Sequence, residues 1–305
     1  MDTFIALAAA TLNAGTPLLL AAIGVLVCER SGVVNLGVEG LMLVAAVAGF
    51  AAVHASGSYV LGFVSGALAG MALAGFFALF AVVLNANQYA SGLALTLLGA
   101  GLSAFVGLPF AGSSLPPHSA DALPLLGDLP GLAPLFRLHP LVYLAWLLVL
   151  ATAWFLFRTR AGLALRAIGE TPASAFALGY RVRSWRVGAV LFGGLTAGLA
   201  GAYLATIYTP LWSEGMVAGR GWIALALVVF ASWHPGRVVI GAYLFGGVTM
   251  LQLFLQARGL AMVPEGLSML PYVATIVVLA VLSRDARWIR VHMPASLGQP
   301  FRPRD

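Results

Sequence analysis

The stretch RTRAGLALRAIGETPASAFALGYRVRSWR, residues Arg158–Arg186, lies between two long apolar runs and decides how this chain folds. The flanking runs, about Pro140–Phe157 and Val187–Tyr208, contain no charged residue, whereas the quoted stretch contains six arginines and one glutamate. An apolar run of this length crosses the hydrocarbon core of a bilayer as one helix, and clustered charges are too costly to accompany it. The sequence therefore predicts two membrane-spanning helices joined by a segment, residues 158–186, that lies in water beside the membrane.

Apolar runs of similar length recur through all 305 residues, of which 61% are hydrophobic and 9% are charged. Mean hydropathy is +0.98, so the predicted fold class is all-α, a polytopic transmembrane helical bundle forming a single membrane-embedded domain over residues 1–305. The opening MDTFIALAAA lacks the basic start of a signal peptide, so we expect it to remain part of the first span. Hydropathy predicts about nine spans, near Ile5–Val27, Leu36–Val53, Tyr59–Leu84, Ser91–Phe110, Pro140–Phe157, Val187–Tyr208, Trp222–Ala231, Val238–Gln256 and Leu270–Leu282.

The arginines predict the orientation of the chain. All 16 basic residues are arginine. With residues 158–186 in the cytoplasm, 13 arginines fall on the inner side and three on the outer side, as the positive-inside rule requires. This distribution predicts an outer N-terminus and an inner C-terminus, with an extracytoplasmic loop at 111–138 and a cytoplasmic tail at 284–305. The loop contains five prolines, so it does not form one regular helix.

The composition also excludes several classes of protein. Without lysine, the chain has neither the Walker A lysine of a P-loop ATPase nor a Schiff-base lysine. Its single cysteine, Cys28, forms no internal disulfide, and the five scattered histidines make no cluster of metal ligands. We therefore expect no cofactor and no metal on this chain. No HExxH, GxSxG or paired carboxylates point to an intramembrane enzyme, and arginines that flank apolar spans indicate membrane topology rather than nucleic-acid binding.

Within the water-exposed segment, RAIGETPASAFALGY (Arg166–Tyr180) carries the start and stop signals of a short helix. Thr171 is a suitable N-cap, Pro172 suits the first helical position, and Gly179 suits the left-handed residue that ends a helix. Two turns are unstable alone, so we expect this helix to pack on the spans and on a soluble partner. The alternative is an ordinary cytoplasmic loop. Side chains expected at the contact include Arg166 and Phe176.

Polar residues interrupt SGVVNLGVEGLML (Ser31–Leu43) at the mouth of the second span. Asn35 and Glu39 are four residues apart, so they share a face if both are helical. A charge at mid-bilayer costs about 2.5–3.5 kcal/mol, so Glu39 is expected to be hydrogen bonded, to face the interior or to lie near the surface. One interpretation places both residues on a substrate pathway. The other makes Glu39 a structural residue paired with Arg30 or with a neighbouring backbone.

Two further stretches supply candidate pathway residues. The amides of Asn85, Asn87 and Gln88 suit a neutral polar ligand such as a sugar or nucleobase, although capping of a helix end is the favoured alternative. Arg220 and Trp222 begin another span and are either pathway residues or an interfacial anchor. The predicted pathway residues are thus Asn35, Glu39, Asn87, Gln88, Arg220 and Trp222.

Glycine spacing predicts how the spans pack. Gly62, Gly66 and Gly70 recur every four residues, as do Gly194 and Gly198. Lipid provides no hydrophobic force between helices, so close backbone approach at glycine holds them together.

The second and seventh spans begin alike. Gly37-Val38-Glu39-Gly40 enters its span from the inner side, and Gly219-Arg220-Gly221 enters from the outer side. Opposite entry of this kind is what an inverted repeat produces, so the sequence predicts that an inverted repeat relates the two halves.

Five ordered motifs resemble the integral-membrane permease subunits of bacterial ABC importers, in the branch that serves nucleosides and simple sugars. They are ERSGVVNLGVEG (Glu29–Gly40), NQYASGLALTLLGAGLS (Asn87–Ser103), RAIGETPASAFALGYRV (Arg166–Val182), GRGWIALALVVFASWHP (Gly219–Pro235) and MLPYVATIVVLAV (Met269–Val281). One departure is Ala231-Ser232 before Trp233, where the family pattern has a glycine and a basic residue. This departure affects only local loop contacts.

The resemblance implies that the short cytoplasmic helix is a coupling helix, which docks into a groove on an ATPase subunit. Glu170, Ala173, Ala175 and Gly179 occupy the corresponding motif. It further implies ATP on that ATPase partner, a second permease subunit, an extracytoplasmic solute-binding protein and a location in the bacterial plasma (inner) membrane.

The predicted function is that of a permease subunit of an ABC importer for a small polar solute, namely a nucleoside, nucleobase or simple sugar. The alternative is an ion-coupled secondary transporter. Such a transporter is expected to hold several acidic residues within its spans, and only Glu39 comes close.

Overall fold

The computed structural model describes residues 2–116, 137–257, 269, 273–274, 276–277 and 292–302. The helices before residue 116 are α1 Asp2–Arg30, α2 Val38–Ser56, α3 Tyr59–Ala78 and α4 Gln88–Gly107. α3 continues into a wider π-type turn at Leu79–Val83, and α4 continues into a 3₁₀ turn at Leu108–Phe110. Most of the predicted 111–138 loop lies outside the described residues.

The helices after residue 137 are α5 Pro140–Arg158, α6 Arg160–Glu170, α7 Pro172–Ala177, α8 Val182–Tyr203, α9 Arg220–Phe230 and α10 Pro235–Ala257. α8 continues into a π-type turn at Leu204–Tyr208. Every regular element in the described ranges is a helix, so the predicted all-α class is confirmed. Most of the 284–305 tail lies outside the described ranges, which include its residues 292–302.

Seven described helices are long and apolar enough to cross a membrane, namely α1–α5, α8 and α10 with their continuing turns. The predicted seventh span corresponds to α9, whose 11 residues are too few to cross alone. The predicted ninth span, about Leu270–Leu282, lies largely outside the described residues. α1 extends to Arg30, beyond the predicted end at Val27, because Cys28 and Glu29 remain helical and buried.

α1 is the most deeply buried of the seven spans, whereas α4 and α10 are among the most exposed. α8 packs on α1, α2 and α3 at the centre of the bundle. The predicted glycine packing is confirmed between α3 and α8. A Cβ at Gly70 would lie 2.7 Å from the Cα of Gly198, and a Cβ at Gly194 would lie 2.7 Å from the carbonyl oxygen of Gly70. The two backbones therefore touch, as helices in lipid require.

The two ends of the bundle differ in charge. The arginine-rich end holds Arg30 at the close of α1, Arg158 at the close of α5 and Arg186 in the first turns of α8. The opposite end is aromatic, with Phe50 of α2 packed against Phe110 and Trp212 at centroid distances of 5.8 and 5.9 Å. Residues at opposite ends of the bundle are too far apart to contribute to one site.

Candidate functional site

At the arginine-rich end, α6 and α7 form a short bracket outside the spans. α6 is amphipathic and buries Gly162, Ala164, Leu165, Ile168 and Gly169 against the bundle. Residues Arg166–Glu170, the first part of the segment Arg166–Tyr180, form the end of α6, which the sequence did not predict as a separate helix. The remaining part of the prediction corresponds to α7.

α7 begins and ends at the residues that the sequence indicated. Pro172 is its first residue, and the Thr171 carbonyl accepts from the N–H of Ala175 at 3.0 Å, although the Thr171 side chain makes no capping bond. Gly179 has a φ of +88° and donates its N–H to the Phe176 carbonyl at 2.8 Å. Both ends are thus closed by main-chain bonds, and the segment is a structured helix rather than a loose loop.

The outer surface of α7 and of its exit is apolar and exposed. Phe176 is 45% exposed, Leu178 is 79% exposed and Tyr180 is 40% exposed. We call these three residues the α7 patch. Clustered exposed apolar side chains are typical of a surface that contacts another protein. Leu178 and Tyr180 were not among the predicted coupling residues, since the sequence of so short a helix does not reveal which side packs inward.

The predicted coupling residues fall in two groups. Ala175 is buried in a small core with Ile168, Val182 and Phe301, so its side chain anchors α7 to the bundle. Arg166 is half-buried, with its guanidinium carbon 5.2 Å from the centroid of the Phe157 ring. The residues that remain exposed are Glu170, Ala173, Phe176 and Gly179.

The turn between α9 and α10 is bonded to the end of α1. The indole N–H of Trp233 donates to the Glu29 carboxylate at 2.6 Å, and the Arg30 guanidinium donates to the Trp233 carbonyl at 3.0 Å. Ser232 and Trp233 have φ values of +49° and +53°, a left-handed backbone that such residues rarely adopt. These bonds hold the turn in place and occupy Arg30, so Arg30 is not the partner of Glu39.

The loop from residue 31 to 37 runs along α4, from its first residue towards its middle. Near its start, the side-chain oxygen of Gln88 accepts from the N–H of Val34 at 2.9 Å. Further on, the Thr96 hydroxyl donates to the Leu36 carbonyl at 3.0 Å. Thr96 lies two helical turns beyond Gln88, about 12 Å along α4. α2 therefore begins well inside the bundle, and Asn35 lies in this loop, where it accepts from the N–H of Gly37 at 2.8 Å instead of sharing a helix face with Glu39.

The Glu39 carboxylate closes the N-terminus of α9. It accepts from the N–H of Gly219 at 2.8 Å and from the N–H of Gly221 at 2.7 Å, and the side chain is buried. A Cβ on Gly221 would lie 2.5 Å from the Glu39 nitrogen, so only glycine permits this approach. A negative charge on the unpaired N–H groups of a helix start is strongly favourable. The geometry matches the structural interpretation in which Glu39 pairs with a neighbouring backbone.

The remaining predicted pathway residues lie on two helices, with Asn87 at the start of α4 and both Arg220 and Trp222 in α9. Asn87 caps α4 by accepting from the N–H of Ala90 at 3.0 Å. Arg220 donates to the carbonyls of Met216 and Val217, and its guanidinium carbon lies 5.7 Å from the centroid of the Tyr208 ring. Trp222 is 37% exposed on the surface of α9.

A cavity of about 460 Å³ opens between α1, α8 and α10 at the end opposite the arginine-rich end. Its size is within the range of about 300–1,000 Å³ typical of small-molecule sites. The Tyr203 hydroxyl donates to the Asn13 side-chain oxygen at 2.9 Å inside it. None of its described lining residues is acidic, and the polar ones are Asn13, Arg137, His139, Tyr203 and Tyr208.

The cavity residues were not among the predicted pathway residues. Asn13 is a single amide inside a long apolar helix, and an isolated polar residue in a span is a signal of function or of helix contact. That signal was available in the sequence. Its partner Tyr203 lies 190 positions away, so no local pattern joins the two.

A second cavity of about 460 Å³ lies between α1, α5, α6 and α8. Its lining is almost wholly apolar and includes Val27, Leu148, Phe155 and Phe192. A polar solute would find few hydrogen-bond partners there, so the cavity with Asn13 and Tyr203 is the one that suits a polar ligand.

Residues 7–282 match the family model described as branched-chain amino acid transport system / permease component. A protein of Haloferax volcanii named "Putative glucose ABC transporter permease protein TsgC13" is 42% identical over 315 residues, covering 96% of this chain and 96% of that protein. The nucleoside ABC transporter permease protein NupC of Lactococcus lactis is 34% identical, covering 87% and 88% of the two chains. The guanosine ABC transporter permease protein NupQ of Bacillus subtilis is 33% identical, covering 88% and 89%. No solved structure matches this chain.

Proposed function

The chain belongs to the family of branched-chain amino acid transport system permease components, and we propose that this member carries glucose, a similar simple sugar or a nucleoside. It is the multi-pass plasma-membrane permease subunit of an ABC importer, and relatives that match it over most of their length are named as ABC transporter permease proteins. Its partners in such an importer are an ATPase subunit, another permease subunit and a solute-binding protein. We place ATP binding and hydrolysis on the ATPase subunit, and the arginine-rich end in the cytoplasm.

The acidic residues of the spans argue against the ion-coupled alternative. In the candidate spans of the described part of the chain, these residues are Glu29 and Glu39. Both carboxylates accept hydrogen bonds from the N–H groups of this chain. A carboxylate that carries ions must exchange partners during transport, whereas these two hold helix ends together.

The proposed contact with the ATPase is the α7 patch. α7 has six residues and cannot be stable alone, so its packing on the bundle through Ala175 presents Phe176 and Leu178 outward in a fixed position. An anchored apolar projection of this kind suits a groove on a partner. Movement of the ATPase subunits would then displace α7 together with the spans that it packs on.

We expect Leu178→Asp to weaken binding of the ATPase subunit by about tenfold or more, because a charge would replace the most exposed apolar side chain of the α7 patch. The measurement is the amount of ATPase that co-purifies with the permease, together with ATP-dependent uptake. Leu211→Asp is the matched control, since Leu211 is 43% exposed at the opposite end of the bundle. Equal ATPase recovery from the two variants would contradict the proposed contact.

The proposed solute class rests on the polar cavity as well as on the relatives. Hydroxyl and amide groups such as those of Tyr208 and Asn13 both donate and accept, as sugar hydroxyls and nucleoside edges require. An amino acid would need a carboxylate beside its ammonium group, and the described lining residues provide none. The helix start at Gly219, which would otherwise attract an anion, is already neutralised by Glu39. Of the predicted pathway residues, we place only Arg220 beside this route, because it stacks on Tyr208.

We expect Asn13→Leu to reduce ATP-dependent uptake about tenfold at limiting solute, because it removes an amide from the cavity and leaves the Tyr203 hydroxyl without this partner. Uptake of labelled glucose and of labelled guanosine into vesicles, with leucine as a competitor, measures the effect and identifies the solute. Thr11→Val serves as the control, since the Thr11 hydroxyl bonds back to the Leu7 carbonyl of its own helix. Unchanged uptake by the Asn13 variant, or uptake inhibited by leucine alone, would contradict the proposal.

A further inference from the structure

Residues 292–302 form a segment that binds α6 at the arginine-rich end. The N–H of Ser296 donates to the Gly169 carbonyl at 3.0 Å, and the Ser296 hydroxyl donates to the same carbonyl at 2.7 Å. The Glu170 carboxylate accepts from the N–H of Ala295 at 3.1 Å. These bonds fasten the segment to the last residues of α6, directly before α7.

The same segment also supports α7 by packing. Phe301 enters the small core formed by Ile168, Ala175 and Val182. Its ring centroid lies 5.8 Å from that of Phe176, a member of the α7 patch. A displacement of α7 would therefore press directly on the 292–302 segment.

Arg186 of α8 links this segment to the loop in front of α2. Its guanidinium donates to the Ser296 hydroxyl at 3.0 Å, to the Gln299 carbonyl at 3.0 Å and to the Ser31 carbonyl at 3.2 Å. The side chain is 2% exposed, and its bonds to Ser296 and Ser31 are buried, whereas the bond to Gln299 is partly exposed. The planar guanidinium group binds these three acceptors in fixed directions, which the ammonium group of a lysine would not reproduce.

Two further contacts continue from the segment into the bundle. The N–H of Gly298 donates to the Gly32 carbonyl at 3.1 Å. The Gln88 side chain reaches the Gln299 carbonyl at 3.5 Å on one side and the N–H of Val34 at 2.9 Å on the other. The loop from residue 31 to 37 leads into α2, whose Glu39 holds the start of α9. The segment thus lies between the α7 patch and the helix starts inside the bundle.

We propose that residues 292–302, with Arg186 as the positioning residue, form a transmission element that carries displacement of α7 to the 31–37 loop and so to α2 and α9. This inference rests on the proposed function, since it presumes an ATPase that acts on α7. The Ser296 hydroxyl is its central group, because this one hydroxyl joins α6 to Arg186. A segment that only stabilised the fold would affect the amount of folded permease, whereas a transmission element affects the solute moved per ATP hydrolysed.

The test measures uptake and ATP hydrolysis together in vesicles that contain the full transporter complex. Ser296→Ala is expected to lower the ratio of solute moved to ATP hydrolysed about fivefold or more, with ATPase binding unchanged. Gln299→Ala is the matched control in the same segment, because Arg186 and Gln88 bind its main-chain carbonyl, which the substitution keeps. Arg186→Lys, which keeps the charge and loses the fork, is expected to lower the same ratio.

The outcomes distinguish failure of the proposed function from failure of the transmission element. Wild-type vesicles without ATP-dependent uptake would overturn the proposed function and this inference with it. ATP-dependent uptake by the wild type, with an unchanged ratio in the Ser296 and Arg186 variants, would overturn only the transmission element. If the variants lose folded permease but keep the ratio of solute moved to ATP hydrolysed, only the transmission element is overturned. That result would assign the segment a purely structural role.

Discussion

Gly198→Ala is expected to destabilise the folded protein by about 2–3 kcal/mol, although alanine is the better helix former. A Cβ at position 198 would lie 2.8 Å from the Cα of Ala67 and 3.1 Å from its carbonyl oxygen. These are backbone atoms of α3, so the two helices must move apart to admit the methyl group. Separation removes the close contact that holds helices together in lipid. The free energy of unfolding in detergent micelles measures the effect.

Gly188→Ala is the matched control on the same helix. No atom lies within 4 Å of a Cβ built at this position. The same substitution should therefore leave the protein unchanged or stabilise it by up to about 1 kcal/mol through helix propensity. Equal unfolding free energies for the two variants would show that α3 and α8 do not meet at Gly198.

Glu39→Leu is expected to destabilise the protein by about 3–5 kcal/mol and to abolish uptake with it. The substitution leaves the N–H groups of Gly219 and Gly221 without their acceptor in a buried site. It also removes the negative charge that neutralises the start of α9. Glu39→Gln retains one side-chain oxygen and should lose less, about 1–2 kcal/mol. Thermal unfolding in detergent, followed by uptake in vesicles, measures both consequences.

Glu214→Leu provides the comparison for Glu39. Glu214 is exposed in the loop that precedes α9, so its removal should change the unfolding free energy by less than about 0.5 kcal/mol. If Glu39→Leu unfolds at the same temperature as Glu214→Leu, the carboxylate does not hold α9. If Glu39→Leu is stable yet inactive, the pathway interpretation of Glu39 replaces the structural one.

The span prediction succeeded where the physics is local. A long apolar run must form its hydrogen bonds internally in lipid, so hydropathy alone located α1–α5, α8 and α10. The start at Pro172 and the left-handed Gly179 likewise follow from the conformations that these residue types prefer. The sequence did not predict α6 as a separate helix, because only Thr171 separates it from α7 and the two resemble a single polar segment.

The candidate sites were less accessible to sequence reasoning. Ala175 and Leu178 lie three residues apart, and only packing shows that Ala175 is buried while Leu178 is 79% exposed. Gln88 and Asn35 have side chains suited to a ligand, yet both bind main-chain N–H groups of the 31–37 loop. An amide has the same donors and acceptors for a solute as for a backbone, so composition does not distinguish the two roles.

The sequence alone determined that this chain is a helical membrane bundle without lysine. It also determined the arginine-rich end, the glycine contacts between spans and the short helix outside them. Those properties depend on the period and chemistry of neighbouring residues. Only the tertiary structure decided that Glu39 caps a helix 180 positions later and that Arg186 binds Ser296 110 positions later. The physical reason is that a buried polar group takes the nearest partner that the packed helices present, and no sequence period records which helices those are.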